Sequence, residues 1–157
     1  MTPQVMKVHL RQIPQGETIH MEGEESAARL DLHEARVEAL GPLRYVLDIG
    51  VSEGGLFGSG SLGLRVRFPC VLCVGYFERD IVVDPFAFQI ELTGSESVDL
   101  TPVVREDIHL CLPPHPRCDS EGGPKCPAAY ESALSTHQNL PEKAASAWDA
   151  LDKIKSV

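Results

Sequence analysis

The residues in this sequence best suited to chemistry are two cysteines in the run Cys70-Val71-Leu72-Cys73-Val74-Gly75. Two intervening residues let both thiolates point at one ion. A glycine two positions after the second cysteine relieves the turn, and backbone N–H groups there can donate to the sulfurs. A tetrahedral site needs two further ligands, and Cys118 and Cys126 supply them from a proline- and glycine-rich loop over 113–126. Four thiolates suit a closed, structural zinc site with no open position. The second pair is spaced Cys118-x7-Cys126, wider than the roughly two to four intervening residues usual in such pairs.

Other readings of these cysteines stay open on sequence grounds. A redox pair opens a helix after a strand, where the helix N-terminus lowers the thiol pKa, whereas here a strand follows. An iron–sulfur cluster also uses four cysteines. Plain buried cysteines in a metal-free fold are a further possibility. An intracellular setting disfavours disulfides. Cys111, the fifth cysteine, is expected to be a small buried hydrophobe among Ile108, Leu110 and Leu112. His115, and less so His109, are the histidines placed to replace one sulfur. His9, His20, His33 and His137 show no ligand spacing.

No nucleophile elbow, phosphate-binding loop, dinucleotide fingerprint or zinc-protease motif occurs. Glu24-Glu25 and Glu106-Asp107 are adjacent pairs on expected helices, where neighbours point apart and form no acid/base dyad. The sequence therefore argues for a binding protein and against an enzyme.

The elements that must position the cysteines read as strands first and helices last. Strands are expected over 5–12, 43–52, 56–68 and 75–92, from alternations such as Leu62, Leu64, Val66 and Phe68 against Gly63, Arg65 and Arg67. Ser52-Glu53-Gly54-Gly55 makes a hairpin turn, and the cysteine pair sits at the tip of a second hairpin. Gly58-Ser59-Gly60 reads as a bulged or flexible strand start. Pro85 within the last strand implies an edge position or a bulge, because it cannot donate to the ladder. A short helix or turn is expected over 24–32. A helix over 101–112 should start with Thr101 as N-cap and Pro102 at its first position. Further helices are expected over 127–136 and 141–155, the last from the stripe Ala144, Ala147, Trp148, Leu151 and Ile154. The fold class is α+β: a mainly antiparallel β-sheet or open barrel packed by C-terminal helices, with a cysteine-rich metal knuckle. The 157 residues make one domain, strand-rich over 5–92, with the helix and cysteine-loop region over 99–157.

Net charge is −9. Residues 15–40 carry Glu17, Glu22, Glu24, Glu25, Asp31, Glu34 and Glu38 against Arg29 and Arg36, and 84–107 carry six acids against Arg105 alone. Affinity for nucleic acid comes chiefly from lysines and arginines on phosphates, and no basic stripe is present. Arg65 and Arg67 share one strand face and leave only a small RNA contact open. Such acidic faces either keep the chain solvated or steer basic proteins toward it. No run of about 18 apolar residues would span a membrane. Residues 1–7 lack the layout of a secretory signal, so the expected compartment is the cytoplasm.

The segment Arg67-Phe68-Pro69-Cys70-Val71-Leu72-Cys73-Val74-Gly75-Tyr76-Phe77-Glu78 resembles the "C-x-R-C-L-x-x-F" segment of the YceD family, the bacterial and plastid large ribosomal RNA subunit accumulation proteins. The stretch from Val98 to Leu110 (VDLTPVVREDIHL) is similar to that family's "(I/V)-D-L-x-P-x-(I/V)-x-E-x-(I/L)-x-L" helix. Leu112 to Cys118 and Trp148 to Lys155 match in kind and order. The chain departs from the family in two places. It has Val71-Leu72 where an arginine often sits, and the long Cys118–Cys126 spacing where many members carry a tighter run. The resemblance implies a non-enzymatic factor that supports accumulation of large-subunit ribosomal RNA. With the acidic balance, it points to ribosomal proteins or pre-ribosomal particles as partners. The alternative is a zinc-stabilised protein-interaction module without a ribosomal role.

Overall fold

The computed structural model describes residues 6–120 and 123–128. Its architecture follows from one long strand. In chain order the strands are β1 (Lys7–His9), β2 (Thr18–Glu25), β3 (Glu38–Ala39), β4 (Leu43–Ser52), β5 (Gly55–Pro69), β6 (Tyr76–Glu91) and β7 (Ser97–Asp99), followed by helix α1 (Thr101–Cys111). All pairings are antiparallel. β5 pairs with β4 and β3 on one side and with β6 along the other, while β2 extends the sheet beyond β4. β1 and β7 make a separate two-stranded sheet. The expected antiparallel α+β fold is what the chain adopts. Among the described residues the main sheet is open, with β2 and β6 at its edges.

Period-2 alternation explains the core. Leu47 and Ile49 of β4, and Leu62, Leu64, Val66 and Phe68 of β5, are buried on one face. On β6 the buried set starts as Ile81 and Val83 and resumes as Phe86 and Phe88, a change from odd to even positions. The cause is a bulge: Leu62 faces Val83 and Gly60 faces Phe86, so β6 carries one residue more than β5 across this step. Asp84-Pro85, joined by a cis peptide, occupies that step. Without the extra residue, Phe86 and Phe88 would point to solvent. Pro85 thus lies on an edge strand and at a bulge as well. Gly58 and Gly60 lie mid-strand beside it. A Cβ on Gly58 would stand 2.6 Å from the Phe88 ring, and one on Gly60 would stand 1.9 Å from the Val46 carbonyl oxygen.

α1 packs on β6 and on the 3-10 turn Ala27–Leu30. It presents Val104 and Ile108, with Leu100 just before it, to the same core. Its start differs from the sequence expectation. Thr101 is the first helical residue and does not cap: its N–H donates to the Asp99 carboxylate at 2.9 Å, and its own hydroxyl is buried without a partner among the described residues. An aspartate two residues upstream takes the end amide, which local propensity for threonine could not rank.

The first strand is shorter than expected, because Leu10–Gln12 turns into a 3-10 helix. The stretch 24–32, expected as a short helix or turn, splits: Glu24 and Glu25 finish β2, and a 3-10 turn follows from Ala27. β2 itself went unforeseen because its outer face is polar and none of its residues is fully buried. The 141–155 helix lies outside the described residues, as does 127–136 beyond Ala128.

The edge strand is tied to its neighbour by His20, whose Nδ1 is 2.9 Å from Asp48 Oδ1 on β4. The Asp48 hydrogen bond raises the His20 pKa against a smaller lowering by desolvation, and Glu22 adds to the rise. Because the folded-state pKa is raised, this pair's stabilisation is complete below the unfolded value of about 6.5. It fades as pH climbs through the folded one. NMR titration of the imidazole should place His20 above a free histidine, and Asp48→Asn should bring it down.

Candidate metal centre

β5 ends at Pro69, and the turn to β6 begins with Cys70. The turn closes on itself: the Cys70 N–H donates to the Gly75 carbonyl at 2.7 Å, and the Val74 N–H to the Cys70 carbonyl at 3.1 Å. Backbone N–H groups of Cys73, Cys118 and Leu72 point at the Cys70 sulfur, and that of Gly75 at the Cys73 sulfur. The left-handed residue is Val74, at φ 60°, and not Gly75 as the spacing suggested. A β-branched residue in this region is strained, and it is tolerated where surrounding bonds over-determine the turn.

The proline-rich loop is brought to this tip by bonds that do not involve sulfur. The Val71 N–H donates to the Pro116 carbonyl at 3.0 Å. Arg79 lies over the Phe77 ring, 5.1 Å from its centroid, and donates to the Ser120 carbonyl at 2.8 Å and hydroxyl at 3.1 Å. Ser120 donates its hydroxyl to the Arg117 carbonyl at 2.7 Å, and the Gly123 N–H donates to the Ser120 carbonyl at 3.3 Å. Arg79 was not picked out as a site residue, though the sequence carries a signal. It is a lone cation on the inward face that Phe77, Ile81 and Val83 share.

All four expected ligands meet. The sulfurs of Cys70, Cys73, Cys118 and Cys126 lie within 4.8 Å of one another. Cys70 and Cys126 are 3.8 Å apart, as are Cys73 and Cys118. A tetrahedral ion with metal–sulfur bonds of about 2.3 Å has sulfur–sulfur edges of about 3.8 Å. The fit is to a single ion: four sulfurs this close leave no room for the several irons and sulfides of a cluster. They are also well beyond disulfide length, and all are free thiols. Cys70 and Cys126 are buried, at 2% and 1% exposure, while Cys73 and Cys118 are partly open.

Electrostatics point the same way. Backbone N–H groups, that of Cys73 foremost, hold the Cys70 thiol down to about 6 against the opposing effect of burial. Burial first, then hydrogen bonding among the neighbouring sulfurs, pushes Cys118 up to about 12. For Cys73 the Gly75 N–H lowers the pKa, but Cys70, burial and Cys126 outweigh it and the net shift is upward. One thiolate is therefore ready-made, and Cys73 and Cys118 ionise only against the opposition of burial and of the neighbouring sulfurs. A cation at the centre removes that conflict.

Among the described residues no histidine joins the cluster. His109 instead approaches the Leu30 carbonyl with Nε2 at 2.6 Å, and His115 is exposed outside the group. Cys111 is exposed, contrary to expectation: α1 buries positions four apart, Val104 and Ile108, and the next residue in that series is Leu112. No family model, curated protein or solved structure matches the chain.

The geometry predicts uptake of one divalent ion per chain. Cobalt(II) titration should give the thiolate charge-transfer band of a tetrahedral four-sulfur site. Cys70→Ser should weaken the band and lower Tm, whereas Cys111→Ser should leave both unchanged. Separately, Val74→Gly should stabilise the chain by about 1 kcal/mol in chemical denaturation, since it relieves the left-handed strain. Val74 is 81% exposed and gives up little packing.

Proposed function

We propose that this chain is a non-enzymatic accessory of ribosome biogenesis that supports accumulation of large-subunit ribosomal RNA, acting by binding assembly partners. The observation that carries the reading is the convergence of Cys70, Cys73, Cys118 and Cys126, which joins the hairpin segment of the family resemblance to the loop that follows its helix segment. Those segments are neighbours in space, because α1 packs on β6. Zinc is the ion that suits the site: it accepts four thiolates in a tetrahedron, and such a shell leaves no position for substrate or activated water. Its task is therefore to lock the loop to the hairpin tip. Apolar side chains stand exposed around that tip, Val71, Leu72, Val74 and Tyr76 among them.

The acidic balance favours basic proteins of the assembling subunit over bare RNA. Arg65 and Arg67, the cations that share a strand face, are already answered by carboxylates. Arg65 is 3.2 Å from Asp80 and 3.3 Å from Glu78, and Arg67 is 3.1 Å from Glu38 and 3.5 Å from Glu78. Phosphates would have to displace these partners. Among the described residues no helix is long and apolar enough to cross a membrane.

Co-sedimentation tests the reading. The chain should travel with large-subunit precursors in a sucrose gradient and be released by raised salt, as expected of binding steered by exposed charge. In titrations at two salt concentrations, basic ribosomal proteins should bind more tightly than ribosomal RNA fragments. Tight binding to naked RNA alone would reverse the assignment of partner. Absence from all ribosomal fractions, with the metal retained, would leave an interaction module of another pathway.

A further inference from the structure

The two edges of the main sheet differ. Among the described residues β6 pairs only with β5, and its open edge is interrupted by Pro85, which has no N–H to give, and by the bulge opposite Ser61. Both are devices that blunt an edge. β2 has neither. It pairs with β4 in unbroken register from Thr18 to Glu25, and among the described residues no loop or turn backbone hydrogen bond reaches it. A regular edge of this length leaves every second N–H and C=O pair open and is a template for another strand.

Side chains along the edge specify what fits. Thr18, His20, Glu22 and Glu24 form its exposed face; Asp48 of β4 and Glu22 flank His20, and Glu24 is 3.3 Å from Arg44, so three carboxylates stand here against one arginine and one histidine and the surplus is negative. On the other face Ile19 and Met21 pack against the rim of the core and are only half-buried. A second copy of β2 would double the carboxylates on one face. A strand in which lysine or arginine alternates with apolar residues would instead set its cations beside Glu22 and Glu24. Its apolar side chains would continue the core over Ile19 and Met21.

We propose that β2 is a docking edge that takes an extended segment of a basic protein, alternating basic and apolar residues, by strand addition. The inference rests on the binding role argued above and names the surface and the form of ligand. It does not depend on the ligand's being ribosomal.

The test titrates the full, isotopically labelled chain with a synthetic peptide in which lysine alternates with valine. Amide shifts and slowed amide exchange should centre on 18–25. Glu22→Lys with Glu24→Lys should weaken binding about tenfold or more through like-charge contacts, and Glu22→Gln with Glu24→Gln should weaken it less. The same peptide N-methylated along its pairing edge keeps its charge but cannot form the ladder, and should also lose about tenfold or more. Equal binding by the N-methylated peptide, perturbation mapped away from β2, or self-association through β2 would each overturn the proposal. Binding at β2 without co-sedimentation would keep the edge and remove the ribosomal reading. Co-sedimentation unaffected by the Glu22 and Glu24 variants, with no peptide binding, would do the reverse.

Discussion

The pairing of β5 with β6 is the constraint on which the rest of the molecule depends. β5 carries the uninterrupted apolar face, and β4, β3 and β6 all hydrogen-bond to it. Its last residues, Val66 and Phe68, are fully buried, so the strand leaves the core in one direction with Cys70 following directly. β6 must return along the same path with its own apolar residues inward, and only the bulge at Asp84-Pro85 lets both halves of it do so. The hairpin tip is thus held on a twisted, packed pair of strands and not on a free loop.

That rigidity explains how a site of four soft ligands can be assembled from two distant parts of the chain. The tip supplies Cys70 and Cys73 with backbone N–H groups already turned toward sulfur. The loop is also held by contacts that do not involve sulfur: Val71 to Pro116, and Arg79 to Ser120. Backbone N–H groups hold the Cys70 thiol down, while burial and the hydrogen bonds of neighbouring sulfurs push Cys118 up, and a second thiolate beside the first would be repelled. A dication converts the repulsion into cohesion, which couples metal binding to the ordering of the loop.

On the open face of the sheet Arg44, Arg65 and Arg67 are each answered by carboxylates. Many of the carboxylates on the open face of the sheet answer an arginine or His20 across a strand pair: Glu24 with Arg44, Glu38 and Glu78 with Arg67, and Asp80 with Arg65. Such exposed pairs add little stability singly. Their consequence is for recognition, because they cancel the few cations on that face. The surplus that remains is negative, and it lies beside a regular sheet edge at β2. An edge that is both open and acidic is closed to its own kind and suited to a basic strand.

By itself the sequence determined the elements whose side chains alternate strongly: β4, β5 and β6 fall within one residue of their expected limits at nearly every end. Period-2 burial is a local property, written in Leu62, Leu64, Val66 and Phe68 without reference to any partner. It also singled out the four sulfurs, because cysteine type and the two-residue spacing carry their chemistry along the chain. β2, β3 and β7 were not legible, since short or edge strands bury little and their sequences resemble solvated turns. Nor was the bond from the Thr101 N–H to Asp99, the left-handed Val74 or the exposure of Cys111. Tertiary structure decided each of these. Whether a hydroxyl caps, a residue accepts strain or a thiol meets solvent depends on which distant segment arrives beside it, and no local pattern encodes that arrival.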